Sequence, residues 1–241
     1  MMEVLTGADA DRYPHLFSRM FHQRHQIYVE RRGWKALKSV NGEERDQFDR
    51  PDTIYLLAID EEDDILAGLR LLPTTGPHLL ADLFPHLVMS GDIPRGEDIL
   101  ELTRFYVAPF GASRQVRDWL VGVLCTGMLE YCLDHGVSRI TSVIDTFLLK
   151  LMLSMEWKVR PLGLPQRYPE GMAVAVVVEV TESALASTRR TKHVEGPVLR
   201  PAIVHPSRIP ASVRLSGVAV APTARLPASG TAVSRGEQTL Q

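Results

Sequence analysis

Up to about residue 180, apolar positions recur along the chain at two different periods. From Ala8 to about Val29 they fall three and four residues apart and predict a helix. Thr53 to Ile59 (TIYLLAI) and Ile65 to Leu72 (ILAGLRLL) are short apolar runs on either side of the acidic turn DEEDD, which predicts a hairpin. Ile99 to Val107 (ILELTRFYV), rich in β-branched and aromatic residues, reads as a further strand. Val116, Leu120, Val123, Leu124 and Met128 then mark one face of a long helix from Ser113, a good N-cap, to His135, with Gly136 as its terminator. A strand from Arg139 to Ile144, a helix capped by Asp145 and running to about Met155, and a strand from Met172 to Val180 complete the pattern. This alternation predicts an α/β fold, with helices on both faces of a twisted, mostly antiparallel sheet.

Composition divides the chain once. Every Phe, Trp and Tyr lies at or before Tyr168, and from Thr181 onward eight Lys and Arg stand against three Asp and Glu, with six prolines and much Ala, Ser and Val. Residues 1–183 are therefore expected to be the folded domain and residues 184–241 a basic Pro/Ala/Ser-rich tail without a core of its own, largely disordered. A net charge of −2 argues against coating nucleic acid or a membrane surface. No run reaches membrane-span length and the N-terminus lacks signal-peptide order, so the cytoplasm is expected. Cys125 and Cys132 have neither disulfide-framework nor metal spacing and read as small buried side chains; no metal is expected.

Two strands carry charges that a core strand does not need. Glu101, Thr103 and Phe105 alternate with Leu102, Arg104 and Tyr106, so strict pleating puts the first three on one face and Arg104 on the other, unless a bulge turns it. Arg70 sits among leucines in ILAGLRLL, and the segment Glu44-Arg45-Asp46-Gln47-Phe48-Asp49 supplies three carboxylates. A buried, unpaired carboxylate costs several kcal/mol or takes up a proton, so opposite charges in two strands point to a buried network, which is commoner at sites than elsewhere. The acidic segment alone would be an ordinary solvated loop.

These residues as an ordered set, Arg24, Trp34, E-R-D-Q-F-D, G-L-R at Gly68 to Arg70, and E-L-T-R-F-Y-V at Glu101 to Val107, resemble the acyl-homoserine lactone synthases, the autoinducer synthases of bacterial quorum sensing, over about residues 1–180. Tyr28 stands where that family usually has Phe, and Thr103 where Ser is common. The resemblance implies a GNAT-like α/β/α sandwich, akin to the GNAT superfamily of N-acetyltransferases. It also implies a reaction: an acyl group passes from a thioester of acyl-carrier protein or coenzyme A to the α-amine of S-adenosylmethionine, the lactone closes, and methylthioadenosine leaves. Both molecules are substrates, and no cofactor, nucleic acid or membrane is implied.

The residue chemistry suits that reaction. Arg24 clamps the substrate carboxylate or steadies the acidic segment, and Trp34 covers the sulfonium or the adenine. Tyr28, Asp46, Asp49, Arg70 and Phe105 join them around S-adenosylmethionine. An α-amine titrates near pH 8, so a modest base suffices to free its lone pair; Glu101 is the candidate, with Thr103, Asp46 and Arg104 beside it. Ser142, Ile144, Phe147, Leu148 and Met152 are candidates for an apolar acyl pocket, though most of them would be apolar in any fold. Two rivals remain: a GNAT-type N-acyltransferase acting on another amine, against which the missing glycine-rich pyrophosphate turn argues, and a non-catalytic sensor that binds S-adenosylmethionine or an acyl carrier, which would not need Glu101.

Overall fold

A computed structural model of the chain describes residues 1–108 and 112–200. In chain order the strands are β1 (Met2–Thr6), β2 (Ser39–Val40), β3 (Glu43–Glu44), β4 (Ile54–Ile59), β5 (Ile65–Pro73), β6 (Ile99–Val107), β7 (Arg139–Asp145), β8 (Val159–Pro161), β9 (Gln166–Tyr168) and β10 (Gly171–Glu179). The α-helices are α1 (Pro14–Arg24), α2 (Leu79–Asp82), α3 (Arg114–Asp134), α4 (Leu148–Ser154) and α5 (Glu182–Lys192). The main sheet runs β1-β4-β5-β6-β7-β10-β8, with β9 also on β10, while β2 and β3 form a separate hairpin. Every main-sheet pair is antiparallel except β6 with β7. Among the described residues no helix is long and apolar enough to cross a membrane.

Both faces of the sheet are covered, so the central strands β4 and β5 are buried almost without a break and send successive side chains into two different cores. Leu56, Leu69, Leu102, Ile140 and Val176 pack on α3 and its neighbours, and Tyr55, Leu57 and Ile65 meet Phe17, Met20 and Phe21 of α1 on the opposite face. A third cluster joins Leu80 of α2 to Ala173, Ala175 and Val177 of β10. The hairpin β4–β5 follows the apolar periodicity, and so does helix α3 from Leu120 onward, while Val116 in its first turn is exposed; the Ser113 hydroxyl accepts from the Val116 N–H as its cap.

Two departures from strict pairing shape the centre of the sheet. β6 and β7 pair only at Ile99↔Arg139, Leu100↔Ile140 and Glu101↔Thr141, after which they splay. Between Arg70↔Thr103 and Gly68↔Tyr106 the register shifts, so β6 carries one residue more than β5. Arg104 takes that bulge with φ at 48°, a left-handed conformation that costs a non-glycine residue about 1 kcal/mol or more. Gly68 is required opposite, because a Cβ there would lie 2.9 Å from the Tyr106 ring and from Leu57.

Several expectations need correction. The first helix starts at Pro14 rather than Ala8, because proline takes the first-turn position, and it continues into a π-helical turn at His25–Arg31. Asp145 does not cap α4: it ends β7, its carboxylate accepts from the Tyr168 hydroxyl, and α4 begins at Leu148 without a side-chain cap.

The boundary at 183 also falls. Residues 182–192 form α5, capped by the Thr181 hydroxyl on the Ala184 N–H, and its Ala184 and Leu185 join the core with Val194 and Val198. Glu130 of α3 accepts from the Val198 and Leu199 N–H groups, and the Met2 N–H donates to the Val198 carbonyl at 2.8 Å. A segment too poor in aromatics to make a core can still complete one built by others. Residues 201–241, the rest of the expected tail, lie outside the described residues.

Candidate active site

Three arginines and three carboxylates from four separate segments close into one network on the α1 side of the sheet. Arg24, at the end of α1, donates from Nε to Glu44 at 2.6 Å and from both terminal nitrogens to Asp49 at 2.7 and 3.0 Å. Arg70 of β5 binds Asp46 through two nitrogens at 2.6 and 2.9 Å, Asp49 at 2.8 Å, and the Thr103 hydroxyl at 2.9 Å. Arg104 of β6 binds Glu44 at 2.8 and 3.0 Å and Asp46 at 2.8 Å. Tyr55 adds a hydroxyl to Asp49 at 2.8 Å.

The charges balance, which is what makes burial tolerable: unpaired, each ion would cost several kcal/mol. Burial pushes the Glu44 carboxyl upward, but the Arg104 and Arg24 guanidinium groups outweigh it and bring it down to about 2. Asp49 is also held below the carboxylate range; Arg24 and Arg70 overcome its desolvation. The guanidinium of Arg24 is stabilised in the same way, with burial opposing and Asp49 and Glu44 prevailing.

Only part of this network reaches a cavity. A space of about 440 Å³ is lined by Asp46, Phe48, Arg104, Trp34, Phe84 and Asp145, among others. A second, of about 330 Å³, enters where β6 and β7 splay and is lined by Thr103 to Val107, Ser142 to Asp145, Leu148, Met152 and Trp157, among others. Trp34, Leu79, Arg104 and the β7 residues Val143, Ile144 and Asp145 border both. Arg24, Asp49 and Arg70 border neither, and every guanidinium nitrogen of Arg24 is committed to Glu44 or Asp49. Of the two roles open to Arg24, the geometry leaves the one that steadies the acidic segment.

The bulge corrects the strand reading. It turns Arg104 and Tyr106 onto the face of Arg70 and Thr103, and sends Phe105 to the opposite face, where it packs against the α3 cluster. Phe105 therefore lines the apolar cavity, not the polar one, and its carbonyl accepts the Tyr28 hydroxyl at 3.0 Å. Tyr28 also lines the apolar cavity and stacks on Trp34 with ring centroids 5.1 Å apart. Burial pushes its hydroxyl up to about 12, so it stays protonated as a donor.

Glu101 stands outside the arginine network. Its Oε1 accepts from the Leu80 N–H at 2.8 Å, holding the start of α2, while Oε2 has no hydrogen-bond partner among the described residues. Desolvation dominates and raises the carboxyl to about 7, against the pull of the Leu80 and Leu79 amides and of Arg70. Glu101 lines neither cavity, whereas Leu79, whose amide faces Glu101, lines both; the sequence holds no signal for Leu79. Of the expected acyl residues, Ser142, Ile144, Leu148 and Met152 line the apolar cavity. Phe147 does not: it precedes α4 and is 67% exposed. Ser142 instead spans the splay, its hydroxyl donating to the Leu102 carbonyl at 2.8 Å.

Glu44, Asp145 and Tyr168 complete the polar surroundings and are absent from the residues that sequence reasoning assigns to the site. Glu44 was legible as the first acid of E-R-D-Q-F-D; Asp145 is masked by its likeness to a helix cap.

Two largely apolar cavities that share a border at a splayed parallel strand pair, one of them with Lys38, Arg45, Asp46, Arg104, Asp145 and Glu170 on its wall and so the more polar of the two, suit a transfer between a charged amine and an acyl chain. The autoinducer synthase family profile matches residues 10–187. The chain belongs to that family. The isovaleryl-homoserine lactone synthase of Bradyrhizobium diazoefficiens is 31% identical to this synthase over 186 residues, 77% of this chain and 82% of that one. The acyl-homoserine-lactone synthase of Acinetobacter nosocomialis is 38% identical over 184 residues, 74% of this chain and the whole of the relative. Among solved structures, the CoA-dependent acyl-homoserine lactone synthase MesI superposes with a TM-score of 0.74 at 35% identity, over 83% of this chain and 98% of that one. BjaI, solved with S-adenosylmethionine and isopentyl-CoA, gives 0.75 at 29% identity, over 83% and 92%. The synthase is an acyltransferase with an α/β fold, and its product class is the N-acyl-homoserine lactone.

Proposed function

We propose that the polar cavity takes S-adenosylmethionine and the apolar one the acyl group of an acyl thioester, with the amine and the thioester carbonyl meeting beside Arg104 and Trp34. The observation that carries this is the shared border: both cavities open onto Trp34, Leu79, Arg104 and Ile144. Asp46, 13% exposed at the cavity wall, receives the substrate ammonium, and the ring of Trp34 faces the sulfonium. Arg104 uses Nε and Nη2 on Glu44 and Asp46, so Nη1 is its group for the substrate carboxylate.

Glu101 accepts the amine proton. A carboxyl raised to about 7 is matched to an amine near pH 8, and since Glu101 lines neither cavity the proton crosses to its free Oε2 through a bound water. The released amine attacks the thioester carbonyl, and the tetrahedral intermediate collapses to the amide as the C–S bond breaks and the carrier leaves as its thiol, taking up the proton the amine gave. Beyond Glu101↔Thr141 no strand among the described residues pairs with the β7-facing edge of β6, and backbone N–H groups of Phe105 to Val107 serve there as oxyanion donors. In the second step the substrate carboxylate displaces the neutral thioether from carbon, which needs geometry more than acid or base, and neither step calls on a cofactor or metal.

Acyl-CoA is the favoured donor, since MesI and BjaI are both described as CoA-dependent; an acyl carrier protein is the alternative. Incubating the purified protein with S-adenosylmethionine and a panel of acyl-CoA and acyl-carrier-protein thioesters, then measuring methylthioadenosine by chromatography, tests the reading. Methylthioadenosine with an acyl-homoserine lactone of matching mass is expected. Acylation of another amine with no methylthioadenosine would point to a general N-acyltransferase, and binding without product to a sensor.

A further inference from the structure

Part of the wall of the apolar cavity is held from outside by α5. Met155, Glu156 and Trp157 form the turn between α4 and β8, with Glu156 at a φ of 59°. Met155 and Trp157 are buried and line the cavity, together with Val121 and Cys125 of α3. Each residue of this turn is gripped from α5: Ser187 Oγ donates to the Met155 carbonyl at 2.7 Å, Trp157 Nε1 donates to Thr188 Oγ1 at 2.7 Å, and Arg190 Nη2 meets Glu156 Oε2 at 2.6 Å. Thr188 Oγ1 also donates to the Ala184 carbonyl at 2.7 Å, so its proton is committed and a lone pair is left for the indole N–H. α5 is itself fixed to α3 by Lys192 with Asp118 and Arg189 with Glu130, each at 2.6 Å.

We propose that α5 sets the depth of the acyl cavity, with Ser187 and Thr188 as positioning residues that hold Met155 and Trp157 as its floor. The inference rests on the assignment of this cavity to the acyl chain. A buried indole N–H needs an acceptor, and Thr188 Oγ1 is the one it has, so the ring is held in one orientation in the wall of the cavity. The space in front of it, about 330 Å³, is near the lower end of small-molecule sites, ~300–1,000 Å³. Short and branched acyl groups fit in front of the ring, and long straight chains meet it.

The test compares the full-length protein with Thr188→Val, Thr188→Ser and Trp157→Phe on butanoyl-, hexanoyl- and decanoyl-CoA, reading methylthioadenosine release. Thr188→Val removes the acceptor at nearly constant volume and should raise the decanoyl-to-butanoyl ratio of kcat/KM by about tenfold, within the range that pocket changes produce. Thr188→Ser should keep the wild-type ratio, and the KM for S-adenosylmethionine should not move in either. Trp157→Phe, which keeps an aromatic ring but has no N–H, should shift the ratio in the same direction and serves if Thr188→Val does not fold. An unchanged ratio in the folded Thr188→Val and Trp157→Phe variants overturns the proposal. If no thioester gives methylthioadenosine with the wild-type protein, the assigned reaction fails instead; calorimetric Kd values for the same acyl-CoAs then decide the depth proposal by the same chain-length ratio.

Discussion

Arg104 and Glu44 are sixty residues apart in the chain and meet in two hydrogen bonds, at 2.8 and 3.0 Å. Regular pleating of β6 would have aimed Arg104 at the α3 side of the sheet. The extra residue in the bulge turns it to the face where β3 delivers Glu44, and there it borders both cavities. Backbone strain at one residue is thus offset by two charge-assisted bonds, each worth more than a neutral one.

Gly68→Ala tests the bulge. The added methyl would press on Tyr106 and Leu57, and the expected result is a loss of about 1–3 kcal/mol in urea unfolding together with a higher KM for S-adenosylmethionine, as Arg104 shifts. An unaltered KM in a folded variant would separate Arg104 from the substrate.

Arg24 and Arg104 should fail differently. Arg24→Ala leaves Glu44 and Asp49 short of counter-charge in a buried setting and should cost about 3–5 kcal/mol of stability, seen as a lowered thermal midpoint. Arg104→Lys keeps the charge but not the fork, and should mainly raise the KM for S-adenosylmethionine.

Glu101→Gln should abolish most turnover, by about a hundredfold or more if it is the base, while preserving the fold, because the amide oxygen can still accept from the Leu80 N–H. Its carboxyl, raised to about 7, binds a proton more tightly folded than unfolded. Its contribution to stability is therefore full below pH ~4.5 and is lost as the pH rises to about 7, a change of roughly 3 kcal/mol. Above pH 7 the Gln variant is expected to melt higher than the wild type, and the rise of kcat/KM through pH 7 should vanish with the residual activity.

Acid should dismantle the network by the opposite sign. Glu44 titrates at about 2 in the fold, below its unfolded value, so its stabilisation is present above pH ~4.5 and drains away as the pH falls towards 2. Circular dichroism is expected to show acid unfolding in that window, shifted to higher pH in Arg104→Ala.

Truncation distinguishes α5 from the residues beyond Arg200. A chain ending at Arg200 keeps the contacts of α5 and of Val198 with Glu130 and Met2, and should melt like the full chain. One ending at Val180 exposes the α3 surface under Ala184 and Leu185 and should lose several kcal/mol or fail to fold.

Local signals made much of this protein legible. The period of apolar residues placed β4, β5, β6, β7, β10 and α3, because a side chain's burial on one face repeats with the geometry of its own element. The charges embedded in strands marked the network, because an ion among leucines needs a partner wherever the chain goes. Short elements such as β8, β9 and α2 had too few residues for any period to register. α5 was hidden because its composition alone cannot make a core.

Membership of the autoinducer family, an α/β architecture and the grouping of Arg24, Asp46, Asp49 and Arg70 were written into the order of the residues, whereas Glu101, expected with them, stands outside and Arg104 joins only through the bulge. Three-dimensional packing settled which of them reach a cavity, that Glu101 of β6 sits apart from the arginine network and holds the start of α2, and that α5 backs the apolar cavity. Pairing register, a bulge and the splay between β6 and β7 are relations between distant segments, and no single segment carries the energy that sets them.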